Sequence, residues 1–509
     1  MNRLLVCYFA VAMSSLLHAS NSQTRAAEQH QPGSVAIESR TITAADGTTI
    51  EYELGTLYVR ENRNDPKSRL IGVGFVRFRA LEASAAPPMF HLPGGPGMSL
   101  ITGLANNARR LAQLARYRGV ADVILVDQRG FSEQGDVLRY AYRTADEPLD
   151  EPATIGRSTA TFVGTVRAAV ESFTGKGFDL RGYTVKEYAD DVAELRKALG
   201  YEQIALVGTS FGSQWSFAII RRHPEIVARA LLSGVEPLDF SYDMPSLVFA
   251  AVERMWWEAE REPALQPYLP EGGLAVAARE VLERLRQAPV RVPVKDASGG
   301  TTVVALGHED FQRDAFTKGA AGPAFILSAY YEHYDAWAAA VLAERRSHAD
   351  SLRLIGPLID TSLGVTPKRE FLLRHDPAGE FLGHWNFDSY LAAAEICPTE
   401  DIGDDFRTDR IVDIPVVFAQ GDWDTQTPLE NTLYVASFFP NSRTLIAEHG
   451  GHGVLGPIAD SLPGVREALF EFLRSGSTAQ LPARVSLPVP KFPAPDFPPP
   501  PQGSASTDR

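Results

Sequence analysis

The stretch IALVGTSFG at residues 204–212 decides the fold. Its first four residues are apolar, which is typical of a buried strand, and the residues from Phe211 to Arg222 contain no proline and predict a helix. The glycines on either side of the central Thr209-Ser210-Phe211 allow a sharp turn in which the serine takes a strained conformation and projects its hydroxyl. The segment therefore predicts a strand, a sharp turn and a helix, with Ser210 as a candidate nucleophile.

The same alternation extends outward from this turn. Short apolar runs predict buried strands, and a periodic apolar pattern at 184–199 predicts a helix that ends at Gly200. Strands that are apolar along their whole length and alternate with helices indicate a mostly parallel sheet with helices on both faces. The sequence therefore predicts an α/β protein, specifically the α/β-hydrolase fold. The predicted strands are 49–59, 70–78, 88–92, 123–126, 204–207, 230–233, 414–419 and 444–447, and the last helix of the core is 465–473.

The strand pattern stops in the middle of the chain. Residues 238–408 are helical in composition and predict an inserted helical cap between two parts of the core, 35–237 and 409–476. The first 19 residues resemble a secretory signal peptide, and 20–34 is a polar leader, so we expect an exported protein that is periplasmic or secreted. Residues 477–509 form a Pro-rich tail that we expect to be extended or disordered.

Composition excludes several classes of function. The chain has 509 residues and a net charge of -14, which argues against nucleic-acid binding. Beyond the signal, no apolar stretch is long enough to span a membrane, so we expect no stable membrane insertion after signal removal. Cys7 and Cys397 are the two cysteines, and no cluster of His, Cys and Asp has metal-site spacing, so we expect neither metal nor cofactor. The oligomeric state stays open.

A serine needs a general base and an orienting carboxylate, and in this fold the chain order is Ser, acid, His. Among the histidines that follow Ser210, only His449 and His452 lie beyond the returning strands. We favour His452, because the glycines on both sides of it suit an exposed loop. The acid should follow strand 414–419, where we favour Asp424 and keep Asp422 as the alternative.

Acyl transfer also needs hydrogen-bond donors for the developing oxyanion. The backbone N–H of Phe211, directly after the nucleophile, is one candidate. The second should come from the loop PGGPG at 93–97, whose prolines have no N–H. We favour Gly95, with Gly94 and Gly97 as alternatives.

Taken together, the motifs resemble a known family of serine hydrolases. The motifs are GGPG at 94–97, DQRG at 127–130, GTSFG at 208–212, the run from Gly421 to Pro428, and GHG at 451–453. The resemblance is to the prolyl iminopeptidase and tripeptidyl aminopeptidase group, and it covers about 49–473. It implies release of residues or short peptides from a free N-terminus, and it favours Asp424 and His452. One departure is Pro93, where many iminopeptidases carry His.

Aminopeptidases of this group hold the substrate amine with acidic cap residues, so the resemblance makes two glutamates candidates for substrate binding. They are Glu258, in MWWE at 255–258, and Glu332, in YYE at 330–332. The expected partner is a peptide or small acyl substrate. Two alternatives remain open: a carboxylesterase or other acyl hydrolase with the same triad, and a non-catalytic hydrolase-fold binding protein.

Overall fold

The computed structural model describes residues 30–501 except 44–46, 48, 105–106, 144–146, 296–298, 348 and 384. The predicted signal peptide at 1–19, most of the leader at 20–34 and the last residues of the tail lie outside the described residues. In the part of the chain that is described, no helix has both the length and the apolar character needed to cross a membrane.

Among the residues that the structure describes, ten strands form one sheet. Its order is β1-β2-β3-β5-β4-β7-β8-β12-β13-β14, while β9 pairs with β10 and β6 with β11 outside it. The strands are β1 Val35–Thr43, β2 Thr49–Arg60, β3 Leu70–Phe78, β4 Met89–Leu92, β5 Val123–Val126, β6 Arg139–Arg143, β7 Ile204–Thr209, β8 Val227–Ser233, β9 Val290–Lys295, β10 Thr301–Leu306, β11 Ala349–Arg353, β12 Val416–Gly421, β13 Ser442–Glu448 and β14 Arg484–Ser486.

The first strands of the sheet are antiparallel and the rest are parallel. Strands β1, β2, β3 and β5 pair antiparallel in that order, and every pair from β5–β4 to β13–β14 is parallel. Strand β1 was not predicted. The carboxyl ends of β4, β7, β8, β12 and β13 therefore meet at one edge, which is where ligands bind in open α/β sheets.

Helices cover both faces of this sheet. One core cluster packs α3, α4 and α15 on one face, and a second packs α1, α16 and α17 on the other. The helices are α1 Ala108–Tyr117, α2 Ile155–Gly175, α3 Val185–Ala198, α4 Phe211–Arg222, α5 Pro245–Ala259, α6 Gly273–Gln287, α7 His308–Ala315, α8 Gly322–Tyr330, α9 Asp335–Arg345, α10 Ile355–Leu363, α11 Pro367–Arg374, α12 Gly379–Leu382, α13 Trp385–Ala394, α14 Asp404–Arg407, α15 Leu429–Ala436, α16 Leu455–Ser461 and α17 Pro463–Ser475.

The cap lies between β8 and β12 and consists mainly of helices α5 to α14. It also contains the hairpin β9–β10, which its helical composition did not predict. Segment 139–175, predicted as part of the core, instead joins the cap: β6 pairs with β11, and α2 packs on α10 and α13 in one cluster that includes Phe173, Leu358 and Ala393. The cap is therefore built from two segments of the chain.

The described part of the Pro-rich tail is extended and packed on the protein. Strand β14 adds to β13 in parallel. Farther along, Phe492 is buried in the cap cluster, and Phe497 stacks on His333 with ring centroids 3.8 Å apart. The Tyr268 hydroxyl donates to the carbonyl oxygen of Phe497 at 2.5 Å. The tail thus ties the last strand of the sheet to the cap.

Candidate active site

Ser210 lies in the sharp turn between β7 and α4. Its φ is 58° and its ψ is -133°, a conformation that a residue with a side chain seldom adopts. The turn requires small neighbours. A methyl group at Gly208 would lie 2.3 Å from the carbonyl oxygen of Gly212, and one at Gly212 would lie 2.2 Å from that of Leu92. The predicted turn is present, and it presents Ser210 to two cavities at the carboxyl edge of the sheet.

His452 and Asp424 form a hydrogen-bonded pair. The Nδ1 atom of His452 lies 3.1 and 3.0 Å from the two carboxylate oxygens of Asp424. The carboxylate is buried and also accepts hydrogen bonds from Gln420 and from the backbone N–H and hydroxyl of Thr427. Burial alone would raise the pKa of Asp424, but the hydrogen bonds from His452 and Thr427 lower it below its usual value. Asp424 is therefore ionised and oriented toward the imidazole.

The imidazole of His452 lies close to the nucleophile turn. A methyl group at Gly234 would lie 2.9 Å from the Cε1 atom of His452 and 3.2 Å from the backbone nitrogen of Ser210. Ser210, His452 and Gln426 also line the same cavity. Three separate loops therefore bring together Ser210, His452 and Asp424. This is the arrangement that a serine nucleophile, its base and an orienting acid require.

The alternative acid and base, Asp422 and His449, contact each other and the tail. The backbone N–H of His449 donates to Asp422 at 2.7 Å, and the His449 ring lies 2.9 Å from the carbonyl oxygen of Leu487. Neither side chain lines a cavity that contains Ser210. These residues hold the tail strand β14 against the loop after β13.

The loop that should supply an oxyanion donor lies beside the nucleophile. A methyl group at Gly94 would be 3.1 Å from the Cβ atom of Ser210. The backbone N–H of Gly97 is already used, because it donates to Oε1 of Gln128 at 2.7 Å. Gln128 in turn donates to the carbonyl oxygen of Gly94 at 2.8 Å. The first bond removes Gly97 from the alternatives, while the N–H groups of Gly94 and Gly95 both stay candidates for the oxyanion donor. The two bonds also tie the GGPG loop to Gln128 of DQRG.

A cavity of about 670 Å³ opens on Ser210 from the cap side. Three acidic side chains line it: Glu236, from the loop after β8, Asp243, which precedes α5, and Asp360 in α10. Among the described residues that line it, Arg313 is the one cation, and it already pairs with other carboxylates, including Glu344 at 3.2 Å. The cavity therefore carries an excess of acidic groups directly beside the nucleophile.

These acids are perturbed by their surroundings. Burial raises the pKa of Asp243 to about 7, although the nearby Arg369 guanidinium acts in the opposite direction. Burial also raises the pKa of Asp360 to about 7. The pKa of Glu236 is raised well above its usual value, first by burial and then by the carboxylates around it. Strongly perturbed acids in a cavity at a nucleophile are typical of a functional site.

The two glutamates predicted from the cap motifs do not lie at this site. Glu258 pairs with Arg261 at 2.6 Å on the surface of α5, and Glu332 is 68% exposed and lies 3.3 Å from Arg284. Neither lines a cavity that contains Ser210, contrary to the expectation. For Glu258 the reason is the orientation of α5. Trp256 is buried in the cap cluster, so Glu258 lies on the outward face of the helix.

Sequence reasoning missed the acids that do line the cavity. One signal was available for Glu236, which follows a predicted parallel strand at the same edge as Ser210 and Asp424. Asp243 and Asp360 carry no comparable signal, because the packing of the cap helices brings them to the site.

The sheet topology and the position of this site are those of the α/β-hydrolase fold. A family model described as "alpha/beta hydrolase fold" matches residues 87–266, which include the loop at 93–97 and the turn at Ser210. A second model, described as "TAP-like protein", matches residues 385–484, which include Asp424 and His452. The chain thus has the α/β-hydrolase fold, and its carboxyl-terminal part is similar to TAP-like proteins. No curated protein matched the sequence significantly.

Several solved structures resemble the chain. An esterase from Thermogutta terrifontis is 15% identical, with 86% of this chain and 98% of that chain covered and a TM-score of 0.32. An esterase from Exiguobacterium antarcticum is 14% identical, with 86% and 100% covered and a TM-score of 0.34. A Bacillus megaterium epoxide hydrolase is 14% identical, with 79% and 98% covered and a TM-score of 0.31.

Proposed function

We propose that this protein is a serine aminopeptidase of the tripeptidyl aminopeptidase type, which releases residues or short peptides from a free N-terminus. The observation that carries the proposal is the acidic cavity beside Ser210, lined by Glu236, Asp243 and Asp360. A peptide ammonium group suits these partly buried carboxylates, since it can form charge-assisted hydrogen bonds with them. The match of the carboxyl-terminal part of the chain to the TAP-like model supports the same class.

The mechanism follows from the geometry. The Ser210 hydroxyl attacks the scissile carbonyl carbon while His452 accepts its proton, and Asp424 stabilises the resulting imidazolium. The N–H groups of Phe211 and Gly95 stabilise the oxyanion. Collapse breaks the C–N bond, and His452 gives its proton to the departing amine. A water molecule then attacks the acyl-enzyme with His452 as base, which releases the N-terminal product and restores the serine.

The decisive experiment compares the same peptide with a free and an acetylated N-terminus. We expect acetylation to lower kcat/KM by about 100-fold, because it removes the charge that the carboxylates would bind. Glu236→Gln should reduce the difference. Glu258→Gln serves as the matched control, because that carboxylate pairs with Arg261 outside the cavity.

Two results would contradict the proposal. Equal rates on both peptides, together with faster hydrolysis of simple esters, would favour a carboxylesterase. Absence of an organophosphonate adduct at Ser210 in the folded protein would favour a non-catalytic binding protein, and Ser210→Ala is the negative control for that labelling.

We further propose that the protein is exported, on the strength of the signal-like sequence at 1–19. Amino-terminal sequencing of the protein from the periplasm or the medium should find a chain that starts near residue 20. An intact Met1 on protein confined to the cytoplasm would refute export.

A further inference from the structure

A second cavity, of about 660 Å³, also contains Ser210. It shares Gly95, Ser210 and Gln426 with the acidic cavity, but α1, α16 and α17 of the core line it rather than the cap. Its charged lining is opposite in sign. Two arginines, Arg110 and Arg116, line it, and no aspartate or glutamate occurs among its described lining residues.

Arg110 supplies the available charge of this basic cavity. In the described part of the chain its guanidinium has no hydrogen-bond partner, and burial lowers its pKa despite the influence of Asp127. The Asp127 carboxylate is already occupied by the hydroxyl of Ser99 and the N–H of Leu100. Arg116, in contrast, pairs with Asp460 at 3.3 Å. A partly buried cation without a hydrogen-bonded partner favours an anionic ligand.

A second titratable group beside Arg110, the imidazole of His91, adds no charge to this wall. His91 lines the same cavity, and burial, followed by the charge of Arg110, lowers the pKa of His91 to about 3. Its imidazole is therefore neutral near neutral pH. Apolar and aromatic side chains such as Leu114, Tyr117 and Phe470 also line the cavity and could pack against the apolar part of a ligand.

We propose that the basic cavity binds the free carboxylate of the leaving peptide, so that the substrates are short peptides with both termini free. This inference rests on the proposed aminopeptidase function, which assigns the acidic cavity to the ammonium group of the substrate. A zwitterionic peptide would place its ammonium among Glu236, Asp243 and Asp360, its scissile carbonyl at Ser210 and its carboxylate at Arg110. Arginine suits this role because its planar donors match a carboxylate.

The test uses four versions of one short peptide: N-terminus free or acetylated, each with a C-terminal carboxylate or amide. Products are quantified by liquid chromatography and mass spectrometry. For the wild type we expect amidation of the C-terminus to lower kcat/KM about 10- to 100-fold, mainly through KM. In Arg110→Gln the ratio of kcat/KM for the carboxylate substrate to kcat/KM for the amide substrate should fall to about one. Arg110→Lys should retain part of the preference for the carboxylate. Arg118→Gln is the matched control, because that guanidinium donates to the carbonyl oxygen of Arg79 outside the cavity.

The four peptides separate the two proposals. Equal kcat/KM for carboxylate and amide in the wild type would overturn the carboxylate site while leaving the aminopeptidase standing. An unchanged ratio in Arg110→Gln would also overturn it. If acetylation has no effect but the carboxylate preference persists and depends on Arg110, the aminopeptidase fails and the carboxylate site is supported. If Arg110→Gln does not fold, the ratios in the wild type and in Arg110→Lys still decide the question.

Discussion

Replacing Asp243 by Asn should stabilise the protein and impair it at the same time. A pKa of about 7 lies about three pH units above the ordinary aspartate value, and each unit corresponds to about 1.4 kcal/mol. Without screening, the ionised carboxylate would therefore cost about 4 kcal/mol at pH 8. Because Asp243 faces a water-accessible cavity, we reduce this to about 2 kcal/mol.

The direction in which pH changes the stability follows from proton binding. Between about pH 4 and pH 7, folded Asp243 holds a proton that the unfolded chain has already lost, so its contribution to stability falls as the pH rises through that window. Asparagine cannot ionise. The variant should exceed the wild type in free energy of unfolding by about 2 kcal/mol at pH 8, and the difference should shrink below about 1 kcal/mol at pH 4.5.

Urea unfolding at the two pH values measures this difference. Asp150→Asn, an exposed change in a loop, is the control and should alter stability by less than about 0.5 kcal/mol at both. For a peptide with a free N-terminus, the Asp243 variant should also raise KM about 10-fold at pH 8. Identical pH dependence of unfolding in the variant and the wild type would refute the assignment of Asp243 as a costly buried acid.

Three further changes test the site and its support. Asp424→Asn should lower kcat about 10³- to 10⁴-fold with little effect on KM, since the imidazole loses its orienting carboxylate; steady-state kinetics would show it, and a loss under 10-fold would exclude that role. Gly208→Ala should destabilise the protein by about 1–3 kcal/mol and lower its thermal unfolding temperature. The reason is that the added methyl group would lie 2.3 Å from the carbonyl oxygen of Gly212. An unchanged unfolding temperature would contradict the tight turn. Phe497→Ala should cost about 1–3 kcal/mol in urea unfolding, whereas Phe371→Ala, which is 61% exposed, should cost under about 0.5 kcal/mol; equal losses would show that the tail does not brace the cap.

The central elements could be predicted because chemistry in this fold follows the ends of buried strands. The run before Ser210 is wholly apolar, as are the strands at 123–126 and 416–419, and such runs are visible in the sequence. The nucleophile, Asp424 and His452 all lie in loops directly after strands. A short-range pattern is therefore enough to propose these residues, although their contact is visible only in the structure.

The rest depends on long-range packing that leaves no periodic pattern. Strand β1 is mostly exposed, with a single buried residue at Ile42, so it lacks the alternation expected of a strand at a core. The tail is rich in proline, which disfavours a strand, yet β14 needs only a three-residue pairing at the edge of the sheet. Glu258 was predicted from a local motif, but the side of the helix that faces the site is set by the packing of Trp256.

The position of the acids carries a physical consequence for selectivity. Asp424 is ionised, and its charge helps to raise the pKa of both Glu236 and Asp243. Before a substrate ammonium group binds, the protein therefore holds these neighbouring acids partly protonated near neutral pH. In the proposed function, an incoming ammonium group would favour their ionised forms and offset their mutual repulsion. A neutral ester or an acetylated peptide offers no such compensation, so the cap cavity would discriminate by charge before any chemistry begins at Ser210.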